Sequence, residues 1–212
     1  MNTVLISFYS DIEDKTYYSD NASRLIQECE ELGIPYDIRE KKTLGSYQLN
    51  CLSKPQYILD TLNELDRPLV WMDIDSKLHK KIDIYDQFNE GTDVVVTTSN
   101  TKLSGIKASP LYFGNTTGAR DFISSWIDTT KQIIENDAGV FDHEPLFNVV
   151  NEYVKKINVK FVGAEYCTWP GHTNENTYIT MGLTDSECKK ESLRKLGFSE
   201  EVIEWQSPGD IQ

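Results

Sequence analysis

Short apolar runs rich in β-branched and aromatic residues alternate along the chain with stretches of helical periodicity, and this alternation limits the fold more than any other feature. TVLISFY (3–9), IPYDIRE (34–40), PLVWMDID (68–75), TDVVVTT (92–98) and VKFVGAEY (159–166) read as strands. Between the first two, Ala22, Leu25, Ile26, Cys29 and Leu32 share one helical face, and Gly33 stands where a C-terminal cap belongs, which predicts a helix from about Asn21. A second helix is predicted from about Ser53, with Pro55 in its first turn, Ile58, Leu59, Leu62 and Leu65 as its core face, and Pro68 beyond its end. ASPLYFGNTT (108–117) reads as a strand with a turn, ARDFISSWIDTTKQIIEN (119–136) and EPLFNVVNEYVKK (144–156) as helices, and residues 185–196 as a short amphipathic helix. The order predicts a single-domain α/β fold with a mostly parallel central sheet flanked by helices. Ligands of such sheets bind at the carboxyl ends of the strands.

Two acids, Asp73 and Asp75, close one of those strands. In extended chain, residues i and i+2 point to the same side, so both carboxylates are expected to face one space, with Ile74 turned away. Like charges that close raise each other's pKa unless a cation intervenes. Hard Mg²⁺ or Mn²⁺ suits carboxylate oxygen, keeps several waters and fills its remaining positions with substrate phosphates. The competing reading is two solvated acids, one of them capping the following turn. D-x-D spacing is common by chance; its place after PLVWM gives it weight.

Other motifs are missing. The chain has no G-x-x-x-x-G-K-[ST], no G-x-G-x-x-G after the first strand, no G-x-S-x-G and no H-E-x-x-H. Cys29, Cys51, Cys167 and Cys188 show no metal-ligand spacing and read as free thiols; a nucleophilic Cys51 is the lesser reading beside a buried structural one. A net charge of -13 works against non-specific adhesion to nucleic acid or anionic lipid, and KLHKK (77–81) and KKESLRK (189–195) read as solvated charge. No apolar run approaches the roughly 20 residues of a membrane span. MNTVLISFYSD lacks the marks of a signal peptide, so the expected location is cytoplasmic, the host cytoplasm if the chain is phage-encoded.

An apolar strand ending in D-x-D, a first strand running into a polar loop, and a lysine-bearing helix between them resemble the GT-A nucleotide-diphospho-sugar transferases. Within that superfamily, GSYQLNCLSKP (45–55) followed by LVWMDIDSKL (69–78) is similar to the small bacterial and phage-type transferases. The resemblance runs from Val4 to about Gly182. It implies a GT-A-like domain over residues 1–182, followed by a helical tail, 183–212, packed on or near the active site.

The resemblance also implies roles. Phe8, Tyr9 and Ser10 would line the pocket for the nucleotide base. Lys54 would approach the diphosphate or the nucleotide as a point charge suited to phosphate, the plain alternative being an exposed lysine at a helix start. Asp73 would touch the ribose or the metal, Asp75 would bind the Mn²⁺ or Mg²⁺ directly, and His172 would be a third ligand. Gly114 and Asn115 would contact the donor sugar, or simply form a turn. Either Asp142 or Glu144 would act on the acceptor hydroxyl, while Asp142 is equally suited to capping a helix whose first turn contains Pro145. His79, among lysines, and His143, beside the acids, are weaker metal candidates.

The implied reaction moves a sugar from a nucleotide-diphospho-sugar, a UDP-sugar in the first place, to a hydroxyl. The acceptor is a saccharide or glycan precursor, or a hydroxymethylated base of phage DNA. The alternatives are a metal-dependent phosphohydrolase or nucleotidyltransferase and a non-catalytic nucleotide-binding domain.

Overall fold

In the computed structural model, which describes residues 2–11, 16–88, 91–98, 105–135, 142–168, 172–182 and Arg194, the apolar runs become strands. These are β1 (Val4–Tyr9), β2 (Tyr36–Glu40), β3 (Leu69–Trp71), β4 (Lys77–Leu78), β5 (Val94–Thr98), β6 (Ile106–Phe113), β7 (Val159–Val162) and β8 (Ile179–Thr180). The helices are α1 (Tyr17–Leu32), α2 (Tyr47–Leu52), α3 (Lys54–Leu65), α4 (Thr117–Glu135) and α5 (His143–Tyr153). Six strands form one sheet in the order β2-β1-β3-β6-β5-β7. Within it β1 runs parallel to β2 and β3, and β5 parallel to β7, while β6 runs antiparallel to both its neighbours. A smaller antiparallel pair joins β4 and β8.

Side-chain alternation along the strands feeds two cores, one on each face of the sheet. Val4, Ile6, Leu69 and Trp71 pack with Ile58 and Leu62 of α3, Phe122 and Trp126 of α4, and Leu146 and Val150 of α5. Leu5, Val70 and Met72 point the other way, against Ala22, Leu25 and Cys29 of α1 and against Tyr85 and Ile179. The mixed α/β sheet with helices on both faces is the predicted architecture. Gly33 ends α1 in the left-handed region, φ 64°, with its N–H donating to Cys29 and Glu30 carbonyls, as expected of a cap.

Several boundaries differ from the expectation, for identifiable reasons. β3 stops at Trp71 because the chain turns: Ser76 N–H donates to the Asp73 carbonyl at 3.0 Å, so 73–76 is a tight turn and not the end of a strand. A separate short helix, α2, precedes α3; Ser46 caps it by accepting from Leu49 N–H at 3.1 Å. After Val162 the last predicted strand gives way to a 3-10 turn over Ala164–Tyr166. The helix expected at 185–196 and the tail 183–212 lie outside the described residues, apart from Arg194. Among the described residues no helix is long and apolar enough to cross a membrane.

Candidate active site

The parallel strands β1, β2 and β3 end on one rim of the sheet, and the turn carrying Asp73 and Asp75 lies there. From the α1 side, Arg24 Nη2 donates to the Ser76 carbonyl at 3.0 Å, and Glu28 Oε2 accepts from Leu78 N–H at 2.8 Å, which pins the turn and the start of β4. Because the segment is a turn, strand pleat does not set the direction of the two acids, and their environments differ. The Asp73 side chain is 38% exposed. Asp75 is buried and lies so close to Gly182 that a Cβ on that glycine would sit 2.1 Å from the Asp75 carboxyl carbon.

Lys54 opens α3 beside this turn, and its placement departs from the expectation. It is not an exposed helix-start lysine: only 4% of its surface is accessible. Its ammonium pairs with Asp73 Oδ1 at 2.8 Å and with Asp142 Oδ2, lies 3.5 Å from the Ala108 carbonyl, and stands 5.3 Å from the centre of the Trp71 ring. Burial pulls its pKa down, but Asp142 and then Asp73 outweigh burial and hold it above the ordinary lysine range. Asp142 mirrors this. Burial favours its neutral form, yet the Lys54 charge and the hydrogen bond from His143 keep its carboxyl well below the usual range. The reach of Lys54 to both acids explains why a long, flexible cation stands at the first position of α3.

Asp142 therefore does not cap α5. It occupies the capping position, but its side chain makes no bond to the helix amides; Oδ2 goes to Lys54 and Oδ1 to His143 Nδ1, at 3.0 Å. Glu144, two residues on, is exposed.

β6 supplies the site from its beginning. Asp73 N–H donates to Ser109 Oγ at 2.8 Å, and Trp71 Nε1–H donates to Asp73 Oδ1 at 3.0 Å. The antiparallel register, Trp71 opposite Leu111 and Leu69 opposite Phe113, carries Gly114 to the far end of the sheet. At about 3.3 Å per residue that is roughly 15 Å from Ser109. Gly114 and Asn115, implied by the resemblance as donor contacts, thus lie away from the acidic turn. Asn115 instead donates to Asp66 and accepts from Arg120, and Gly114 packs against the Thr92 carbonyl, where a Cβ would not fit.

Phe8 and Tyr9 close β1, and Ser10 follows it. Phe8 packs edge-on against Tyr57, with centroids 5.1 Å apart, and lies 5.3 Å from Trp71. Ser10 is buried and donates to the Lys41 carbonyl at 2.7 Å; Tyr9 is half-buried on the α1 face. His172 is exposed. His79 hydrogen-bonds Thr180 Oγ1 at 2.7 Å; burial, then Lys77, Arg24 and Lys80, lower its pKa and keep it neutral.

Sequence reasoning missed Tyr47, Ser109, Trp71 and Gly182. Tyr47 lies beside Cys51, Asp75 and Tyr18, and burial, reinforced by those neighbours, raises its phenol far above the ordinary range. Only the Gly45–Ser46 pair ahead of it hinted at a new helix start there. Cys51 is pushed up to about 12, by burial first and then by the Asp142 charge. It is therefore expected to resist alkylation by iodoacetamide at pH 8, where only about one thiol in ten thousand would be ionised. Rapid labelling of Cys51 on peptide mapping of the native protein would contradict that environment.

Among the described residues no group of three or more His, Cys, Asp and Glu side chains is placed to hold a metal ion. Asp73 Oδ1 is committed to Lys54 and Trp71, while Oδ2 has no partner among the described residues. Hard Mg²⁺ or Mn²⁺ takes few carboxylate oxygens from a protein when water and phosphate supply the rest.

By fold, the chain resembles glycosyltransferases. It superposes on a solved glycosyltransferase involved in the glycosylation of the major capsid of PBCV-1, with a TM-score of 0.62 and 12% identity, covering 92% of this chain and 99% of that one. Two structures of the glycosyltransferase GlyE of Streptococcus pneumoniae TIGR4 superpose with TM-scores of 0.59 and 0.56, at 12% and 14% identity. They match 97% and 100% of this chain but only 63% and 66% of their own length. At the level of sequence, no protein-family profile and no curated protein matches the chain.

Proposed function

We propose that this protein is a metal-assisted glycosyltransferase that moves a sugar from a nucleotide-diphospho-sugar, with a UDP-sugar as the first donor to test, to a saccharide hydroxyl. The observation that carries the reading is the acidic turn, Asp73 and Asp75, at the carboxyl end of β3 in a fold shared with glycosyltransferases. Asp75 and the open oxygen of Asp73 would hold the Mn²⁺ or Mg²⁺, which when bound neutralises charge on the departing diphosphate. Lys54 fixes Asp73 and Asp142 relative to each other, while Trp71 and Ser109 set the orientation of Asp73. Lys54 is thus a positioning residue, and phosphate recognition falls to the metal. A saccharide acceptor is preferred to DNA because a chain of net charge -13 repels a polyanion.

The test is a thermal-shift screen of nucleoside diphosphates and nucleotide sugars with and without Mn²⁺. A nucleoside diphosphate is expected to raise the unfolding midpoint only with the metal present, by several degrees at saturation. Product analysis then separates the classes, since transfer and donor hydrolysis release a nucleoside diphosphate, whereas phosphohydrolase chemistry releases inorganic phosphate or a monophosphate. If no ligand of the panel shifts the midpoint, the transferase reading falls.

A further inference from the structure

We infer that His143 is the general base that takes the acceptor's proton, an inference that rests on the transferase reading. Its Nδ1 lies 3.0 Å from Asp142 Oδ1. Asp142 is buried and paired with Lys54 through its other oxygen, so it is a carboxylate and accepts only. The proton of that hydrogen bond therefore sits on Nδ1. In the neutral imidazole this leaves the lone pair on Nε2, which has no partner among the described residues, on a side chain that is 49% exposed.

The two carboxyl groups expected from sequence are poorer bases. Both oxygens of Asp142 are occupied and its surface is covered, so an acceptor hydroxyl cannot reach it. Glu144 is exposed, with nothing among the described residues to orient it. Among the described residues His143 combines access with a fixed tautomer and a buried counter-charge, the combination that suits imidazole to general-base work. It also belongs to the acidic rim. One ammonium holds both Asp142 and Asp73, which puts these carboxylates within two hydrogen-bond lengths, ~6 Å, of each other.

In the step so described, the acceptor hydroxyl gives its proton to Nε2 as its oxygen bonds to the anomeric carbon. The bond from that carbon to the diphosphate oxygen breaks, and its electron pair leaves on the nucleoside diphosphate. Asp142 balances the imidazolium, which afterwards returns its proton to solvent. With water in place of the acceptor, the same step is donor hydrolysis.

The experiment compares wild type, His143→Gln and His143→Ala for nucleoside diphosphate release from UDP-glucose, UDP-galactose and UDP-N-acetylglucosamine with Mn²⁺. The thermal shift given by UDP and Mn²⁺ is measured on the same samples. Turnover is expected to fall at least ~100-fold in both variants with the shift retained, and added imidazole is expected to restore part of it to His143→Ala. Turnover within about threefold of wild type in His143→Gln, with the shift retained, overturns the proposal alone. If wild type shows neither shift nor turnover with any of the three donors, the transferase reading falls and the proposal with it. A readout independent of donor is the imidazole tautomer by ¹⁵N NMR: Nδ1–H is expected in wild type, and Nε2–H there would overturn the assignment.

Discussion

Replacing Lys54 by methionine is expected to lower the unfolding free energy by about 3–5 kcal/mol, seen as a lower urea midpoint at an unchanged slope. Methionine keeps the length of the side chain and most of its contact with Trp71, so the loss isolates the charge. Asp73, 38% exposed, regains water when the ammonium is gone; Asp142, 8% exposed, does not. Most of the loss therefore belongs to Asp142, and adding Asp142→Asn to the methionine variant is expected to recover more than half of it.

The pH dependence follows from the two shifts. The folded pKa of Asp142 is depressed, so its contribution is present above the unfolded value of about 3.9 and is lost as pH falls through the folded value. That of Lys54 is raised, so its contribution is present below about 10.4 and is lost as pH rises through the folded value. The gap between wild type and Lys54→Met should be flat near neutrality and close in acid, where the stranded Asp142 of the variant takes up a proton. A loss below 1 kcal/mol at pH 7 would mean that Lys54 does not hold the two acids.

Asp75→Asn is expected to lower sugar transfer about a thousandfold, the equivalent of ~4 kcal/mol of transition-state stabilisation, and to remove the Mn²⁺-dependent shift by nucleoside diphosphate. The amide keeps the size and shape that pack against Gly182. Asp73→Asn would also break the Lys54 pair. Retained metal-dependent binding in Asp75→Asn would move the metal away from this turn.

Periodicity made most of the framework legible. Ala22, Leu25 and Cys29 are buried as their spacing requires, and the apolar runs became the strands of the sheet. Strand direction was not legible, because ASPLYF has the same pleat whichever way it runs; only its hydrogen bonds with β3 and β5 reveal that it is reversed. That reversal moved Gly114 and Asn115 off the rim and brought Ser109 onto it. The acids were legible as a pair but not as a turn, since the apolar run LVWM passes into the alternating MDID without a break and the Ser76–Asp73 hydrogen bond leaves no compositional mark. The partnership of Lys54 with Asp142 spans 88 positions, beyond the reach of any local pattern.

Gly182 follows β8, which pairs with β4, and β4 begins two residues after Asp75. The carboxylate at the rim is thus packed against the tail of the second, smaller sheet. The two-stranded sheet is thus a buttress of the acidic turn: unpicking β8 from β4 would withdraw the glycine against which Asp75 rests.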